Sequence, residues 1–450
     1  MSEGEEPTKR GPLAPYDGVV FPAKEPLSNN LSKQGALPLS RLIGAGLITG
    51  AADDDPSGIV TYSQAGAQFG YQLNWTMLVS LPLLATVQQI AARVGRVTGK
   101  GVVANLRERT PRTVLFAIVL LLAIANAINL GADLGAMGEV AAMVAGGPPH
   151  PYVIGFGVFC AIAQIIVSYS AYIRFLRWLT LSLFAYIATT LAVAVPWREV
   201  LERTLIPSLS ATPEFLLAVV AILGTTITPY LIFWQAAEEV EDLELAGERP
   251  LISDPSGSAL ELRRIRFDTW LGIGFSNFVG LFIIIATAAT LHGAGVTNID
   301  SAEQAAEALK PIAGTFAAGA FAAGIIGTGL LAVPVLAGSA AYALGEAFNR
   351  PVGLGRRPGE AKSFYTIIAL STLIGVGLHF TPIPPMRALF LSAVINGIIV
   401  IPILVALLML ARDRRVMGAY RVRGAMLWLG WITATAMATA AMAALLVAVS

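Results

Sequence analysis

Three adjacent carboxylates, Asp53, Asp54 and Asp55, stand directly before Pro56, Ser57 and Gly58 in a stretch otherwise apolar enough to cross a membrane. A charged Asp at the centre of a spanning helix is unfavourable by about 2.5 to 3.5 kcal/mol on insertion scales, so carboxylates placed there point to a function. Three in a row also repel one another unless they are protonated, wet or facing a cation. Cation binding is the chemistry that gives the cluster a purpose. The bland alternative sets Asp53 and Asp54 at a helix end near water, with Asp55 only capping the helix that follows.

The backbone has to break to present these groups. Pro56 has no amide hydrogen and disfavours helical geometry at Asp55, and Gly58 weakens the helix further, so two half-helices should meet around residues 53 to 58. Unwound backbone at membrane depth is tolerated only where it is buried in protein or lines a cavity. A cation site built from a carboxylate, unwound carbonyls and half-helix ends is the pattern that secondary transporters use. A second break is expected at Thr228-Pro229, within Gly224-Thr-Thr-Ile-Thr-Pro-Tyr-Leu-Ile-Phe-Trp-Gln235.

The rest of the chain supplies the frame. Of its 450 residues, 55% are hydrophobic and 13% charged, a composition of polytopic membrane proteins rather than soluble domains. A net charge of +1 carries no nucleic-acid signal, and the single Cys160 excludes a disulfide framework. Residues 1–38 lack an apolar signal-peptide region and are expected to be a disordered cytoplasmic arm. Apolar runs place eleven spans near residues 40–69 (broken), 73–95, 113–145, 151–173, 178–196, 214–240 (broken), 269–291, 311–346, 363–381, 386–411 and 424–449. The eighth is loosened by Pro334 and nearby glycines, which leaves open a division into two segments.

With the N-terminus inside, 26 of the 30 Lys and Arg residues fall in cytoplasmic segments. That bias obeys the positive-inside rule and puts the C-terminus outside. The breaks fall in the first and sixth spans. Five spans separate equivalent points, so the two halves have opposite topology. The expected units are 39–205 and 206–412 as inverted repeats, with 413–450 as an eleventh helix. Trp75, Trp178, Trp197, Trp270 and Trp428 suit an interfacial belt. The run Glu238, Glu239, Glu241 and Asp242 reads as a solvated acidic end.

Asp55-Pro-Ser-Gly58, then Tyr62-Ser-Gln-Ala-Gly-Ala-Gln-Phe-Gly-Tyr71 and Ala91-Ala-Arg-Val-Gly-Arg-Val-Thr-Gly-Lys100, resemble the first two helices of the Nramp family of divalent metal transporters. The resemblance implies an all-α LeuT-like fold, a 5+5 inverted repeat with helices 1 and 6 broken, and an eleventh helix. It puts a metal against the Asp55 carboxylate, the carbonyls of Ala52 and Thr225, and Thr228. Asp54 and Ser57 are added on chemical grounds as further oxygens, and Asn396 as a polar amide inside the tenth span.

Departures from the family pattern bear on the ion. Gly58 stands where the family has Asn, Thr228 where it has Met, and Tyr230 where it has His. Thioethers suit soft ions, whereas carboxylate, carbonyl, hydroxyl and water suit hard ones. Magnesium dehydrates reluctantly and keeps several waters. A roomy all-oxygen pocket therefore fits hydrated Mg2+, with Mn2+ also admitted, and the chain resembles the Nramp-related magnesium transporters. The family's third helix is acidic; here Asp133 can be laid on its Asp, the next acid is replaced by Ala136, and Asn126 and Asn129 are neutral. His150, His292 and His379 all fall at outer ends. Transport without obligatory proton coupling is the expectation, with Asp133, Asn129, Tyr230, Trp234 and Gln235 as the residues of any proton path or gate.

No permanent cofactor and no enzyme activity are expected. The partners are the transported divalent cation and the bilayer, with no nucleic acid; a monomer suffices, and a bacterial inner membrane is the natural setting. A proton-coupled Mn2+/Fe2+ symporter is the nearest rival. An organic-solute carrier would also have two broken helices, but three acids fit a cation better. A di-aspartate intramembrane protease using Asp55 and Asp133 would lack the second break and the repeat.

Overall fold

The computed structural model describes residues 49–50, 52–166 and 184–449. The expected N-terminal arm, the start of the first span, and Arg174, Arg177 and Trp178 lie outside the described residues. The helices that position the site are α1 (Pro56–Phe69), α2 (Asn74–Thr98), α3 (Arg112–Ala145), α4 (Pro149–Ile166) and α5 (Phe184–Ala192). They are followed by α6 (Pro213–Thr226), α7 (Pro229–Ala246), α8 (Ser258–Thr290) and α9 (Ala317–Ala347). α10 (Lys362–Leu378), α11 (Pro385–Arg412) and α12 (Ala425–Val449) complete the series.

Among the described residues, eight helical stretches are long and apolar enough to cross a membrane, and Lys362–Leu378 is a shorter apolar helix. The first stretch, Pro56–Thr98, holds both α1 and α2, divided by a 3-10 turn at Gly70–Leu73 that opens with Gly70 at φ 58°. With α5 as the described part of the fifth span, the helices follow the order of the eleven expected spans. The protein is an all-α membrane-spanning fold with two interrupted helices.

Both interruptions follow from proline. Residues 52 and 53 are helical, Asp54 and Asp55 are not, and helix resumes at Pro56. Asp55 is the N-cap of α1 in extended geometry, φ −69° and ψ 169°. The second break repeats this design: α6 ends at Thr226, and Thr228, at φ −77° and ψ 142°, is the N-cap of α7 with Pro229 as its first residue. A proline at the first helical position needs no amide hydrogen, so each ring is unstrained in its own half-helix while forbidding continuity with the one before.

Two expectations are corrected. The eighth span is one helix, Ala317–Ala347, with Pro334 inside it, and it starts after 311. The bundle around it re-satisfies what the proline loosens; Gly329 lies against Met137 and Gly338 against Trp234. The acidic run is not solvated. Glu238 and Glu239 are buried, Glu239 pairs with Arg264 of α8, and Glu241 accepts hydrogen bonds from Tyr342 and from the Leu354 and Gly355 amides. Glu261 bridges Arg264 and Arg96, and Arg96 also pairs with Glu248. These acids tie α2, α7 and α8 together at one end of the bundle.

Candidate metal site

A proline cannot donate to the carbonyl four residues earlier, and its ring would clash with that carbonyl if the helix before it ran on. Four residues before Pro56 is Ala52, and four before Pro229 is Thr225. The two breaks therefore release two backbone carbonyls, which are the two expected from the sequence as ligands. They lie in one neighbourhood: Ser57 Oγ is 3.2 Å from Thr225 Oγ1, Tyr62 OH is 3.2 Å from Thr226 Oγ1, and Tyr230 OH donates to the Ala52 carbonyl at 2.9 Å.

Asp55 sits at the centre, fully buried. One carboxylate oxygen accepts from Ser57 Oγ and from the Gly58 amide, both at 2.7 Å. The other accepts from Asn129 Nδ2 of α3 at 3.0 Å, with Tyr230 OH at 3.4 Å. A carboxylate offers about four lone-pair sites, so this one is fully supplied with donors, and Tyr230 is the weakest of them. Asn129 is itself held by Ser392 of α11, whose hydroxyl donates to its side-chain oxygen at 2.8 Å.

The three carboxylates do not converge. Ser276 of α8 donates to Asp53 at 2.7 Å and to Asp54 at 3.1 Å, drawing both away from the Asp55 carboxylate. Each keeps one buried oxygen with no partner among the described residues. Consistent with that divergence, no group of three or more His, Cys, Asp or Glu side chains comes together among the described residues. The donors around Asp55 are hydroxyls, carbonyls and amides.

Of the other expected site residues, Thr228 is buried at an N-cap position without capping the helix, and its hydroxyl lies beside Tyr230. A Cβ built on Gly58 would stand 3.4 to 3.5 Å from the Asp53 carbonyl, Asp55 Oδ1 and Thr225 Oγ1, so any side chain there would enter the site. Asn396 is buried on α11 with an unpartnered Nδ2. Its neighbour Gly397 lets α11 approach Gly224 of α6 so closely that a Cβ on Gly224 would collide with the Ala393 carbonyl. Asp133 is buried near Asp55, with the Ser57 backbone beside it. Gln235 accepts from Thr49, while Trp234 packs edge-on to Tyr342 and against Gly338.

Ser276, Ser392 and Tyr62 were missed from the sequence. A signal existed for Ser392, which lies one helical turn before Asn396 on the same face of α11. Ser276-Asn277 is likewise a polar pair inside an apolar run. At one end of the bundle, His150 Nδ1 and His379 Nε2 are 3.0 Å apart; burial first, then His150, holds His379 below the ordinary histidine value.

Comparison with known proteins decides the family. Residues 46–447 match the family described as "Natural resistance-associated macrophage protein-like", or Nramp. The chain belongs to the Nramp family. It is 26% identical over 394 residues to the divalent metal cation transporter MntH of Aeromonas hydrophila, covering 84% of this chain and 89% of that one. It is 27% identical over 395 residues to the MntH of Acidiphilium cryptum, with 85% and 84% covered. In fold it is similar to a crystal structure of the Eremococcus coleocola manganese transporter, with a TM-score of 0.73 at 18% identity over 90% of this chain and 86% of that one. It is similar too to Mhp1, a nucleobase-cation-symport-1 family transporter, with a TM-score of 0.56 at 16% identity over 90% and 91%. This Nramp chain is a membrane transporter and not an enzyme, which disposes of the protease reading.

Proposed function

We propose that this chain, a divalent metal transporter of the Nramp type, carries hydrated Mg2+, and also Mn2+, by alternating access without obligatory proton coupling. One observation carries the reading: among the described residues the groups that touch Asp55 and the freed Ala52 carbonyl are hydroxyls and amides, with no thioether or imidazole among them. Such a set suits hard ions that keep part of their water. Asp55, Thr228 and Asn396, with the carbonyls of Ala52 and Thr225, are the proposed ligand residues. Ser57 orients Asp55, and Gly58 leaves room for the ion's hydration. Asp54 is retained only as a more distant oxygen, because Ser276 holds it.

Asp53, Asp54, Asp55, Thr225 and Thr228 are each at most 1% exposed, so an ion enters or leaves only when helices move. That burial supports alternating access between inverted halves, with residues 39–205 and 206–412 as the proposed halves and 413–450 as the added helix. The proposed setting is a bacterial inner membrane, N-terminus inside and C-terminus outside. A second reading, proton-coupled manganese transport, is favoured by the manganese transporter among the similar structures and by Asp133 buried beside Asp55.

The test is metal uptake by proteoliposomes, with Mg2+ and Mn2+ compared and luminal pH followed in parallel. Saturable Mg2+ entry without acidification, lost in Asp55→Ala, is expected. Manganese entry with acidification and no response to Mg2+ would establish the second reading instead.

A further inference from the structure

A cleft of about 510 Å³ opens between α2, α8 and α12 at the end of the bundle rich in Lys and Arg. Its first wall is Thr86, Gln89 and Arg93, spaced i, i+3, i+7 on one face of α2; its second is Arg263, Arg266 and Trp270, with the same spacing on α8. Met426 and Leu429 of α12 close the third side. Two helices thus turn three guanidinium groups and one indole towards a common space.

These arginines have no acids to answer them. The neighbouring Arg96 and Arg264 take up Glu239, Glu248 and Glu261, whereas Arg93, Arg263 and Arg266 form no ion pair among the described residues. Arg93 is half-buried, and its Nε is buried without an acceptor. Leaving guanidinium N–H groups unpaired in a partly dry cleft is unfavourable, and the planar fork of arginine matches phosphate in a bidentate way. The flanks are apolar: Phe267, Trp270 and Leu271 of α8 are 40 to 47% exposed, facing where acyl chains run. Basic pockets between spanning helices, bordered by apolar surface at the interface, suit anionic lipid headgroups.

We propose that this cleft binds the phosphodiester headgroup of an anionic phospholipid, with Arg93, Arg263 and Arg266 on the phosphate and Trp270 at the glycerol level. The apolar flank of Phe267, Trp270 and Leu271 selects a lipid over a soluble phosphate.

The test uses the full chain, delipidated in detergent, with lipid binding followed by native mass spectrometry. The probes are phosphatidylglycerol, cardiolipin, phosphatidylcholine and soluble glycerol phosphate. Binding of the two anionic lipids at least tenfold tighter than phosphatidylcholine is expected. Arg263→Gln with Arg266→Gln should weaken it by roughly 30-fold, since each basic residue near the headgroups contributes about a fivefold share. Arg350→Gln with Arg357→Gln, which removes two exposed charges elsewhere at the same end, should leave it unchanged. Arg93→Gln tests the buried arm, and should it fail to fold the exposed pair still decides. Equal loss in the Arg350 and Arg357 pair, glycerol phosphate binding as tightly as lipid, or no preference over phosphatidylcholine would each overturn the proposal.

Discussion

Removing the Tyr230 hydroxyl should weaken the empty protein and strengthen its hold on metal. In the structure that hydroxyl donates to the Ala52 carbonyl at 2.9 Å and lies 3.4 Å from Asp55 Oδ2. The Ala52 carbonyl has lost its helical partner to Pro56, and Tyr230 is what satisfies it. A buried carbonyl left unpaired costs about 1 to 3 kcal/mol, so Tyr230→Phe should destabilise the metal-free protein by that amount. Asp55 meanwhile already has donors at all its lone-pair sites. An ion reaching the carboxylate and the Ala52 carbonyl must displace one, and the 3.4 Å contact is the one most readily given up.

The displaced bond has a net worth of about 0.5 to 1.5 kcal/mol, which corresponds to metal binding roughly 2- to 12-fold tighter in Tyr230→Phe. The assay is thermal unfolding in detergent with and without Mg2+ or Mn2+, paired with calorimetric titration. The variant should melt lower than the parent without metal and gain more from saturating metal, as expected of a ligand that binds only the folded state. An unchanged melting temperature without metal, or affinity weakened several-fold, would refute the reasoning. The second result would mean that Tyr230 holds the ion's hydration shell instead of competing with the ion.

Thr228→Met replaces a buried hydroxyl with a thioether, so it should shift uptake towards Mn2+ or Cd2+ over Mg2+ at small cost in stability; an unchanged Mg2+ to Mn2+ ratio in proteoliposomes would count against Thr228 as a ligand position. Arg264→Gln leaves Glu239, whose side chain is 0% exposed, without its cation, and should cost about 3 to 5 kcal/mol in unfolding experiments, with part recovered in Arg264→Gln/Glu239→Gln. For His379, the folded value lies below the ordinary 6.5, so the unfolded chain takes the proton first and stability falls as pH drops through 6.5. His379→Gln should flatten that decline in melting temperature between pH 7 and pH 5, about the window in which an ordinary histidine titrates.

Much of this was legible in the sequence because proline acts locally. Asp55-Pro56 and Thr228-Pro229 dictate where helix ends and restarts, whatever surrounds them, and apolar run lengths dictate the spans. Side-chain partnership is not local. Asp54 read as a ligand because it adjoins Asp55, but consecutive residues straddling a break point different ways, and Ser276, more than 200 positions later, collects it with Asp53. The acidic run misled for a related reason: charge density suggested solvent, while the answering Arg264 and the Leu354 and Gly355 amides come from other elements. Asn129 stood out only as a neutral residue among expected acids. Its two-sided role between Asp55 and Ser392 needed the packing of α3 against α11.

In the proposed site, where an ion is held is separate from which ion is held. Pro56 and Pro229 each free a carbonyl four residues back, and those backbone oxygens discriminate little among divalent cations. They stay in place whatever the side chain at 58 or 228. On the proposed reading Gly58 and Thr228 then set how much room and what softness the ion meets, and neither is needed to hold the break. Ion preference can therefore change by substitution at two positions without disturbing the fold. Asn129 stands apart from both roles: by donating to Asp55 it supports the carboxylate as an anion, and it couples that support through Ser392 to α11. Replacing it should alter affinity for every ion in proportion, whereas changes at 58 and 228 should alter the ratio between ions.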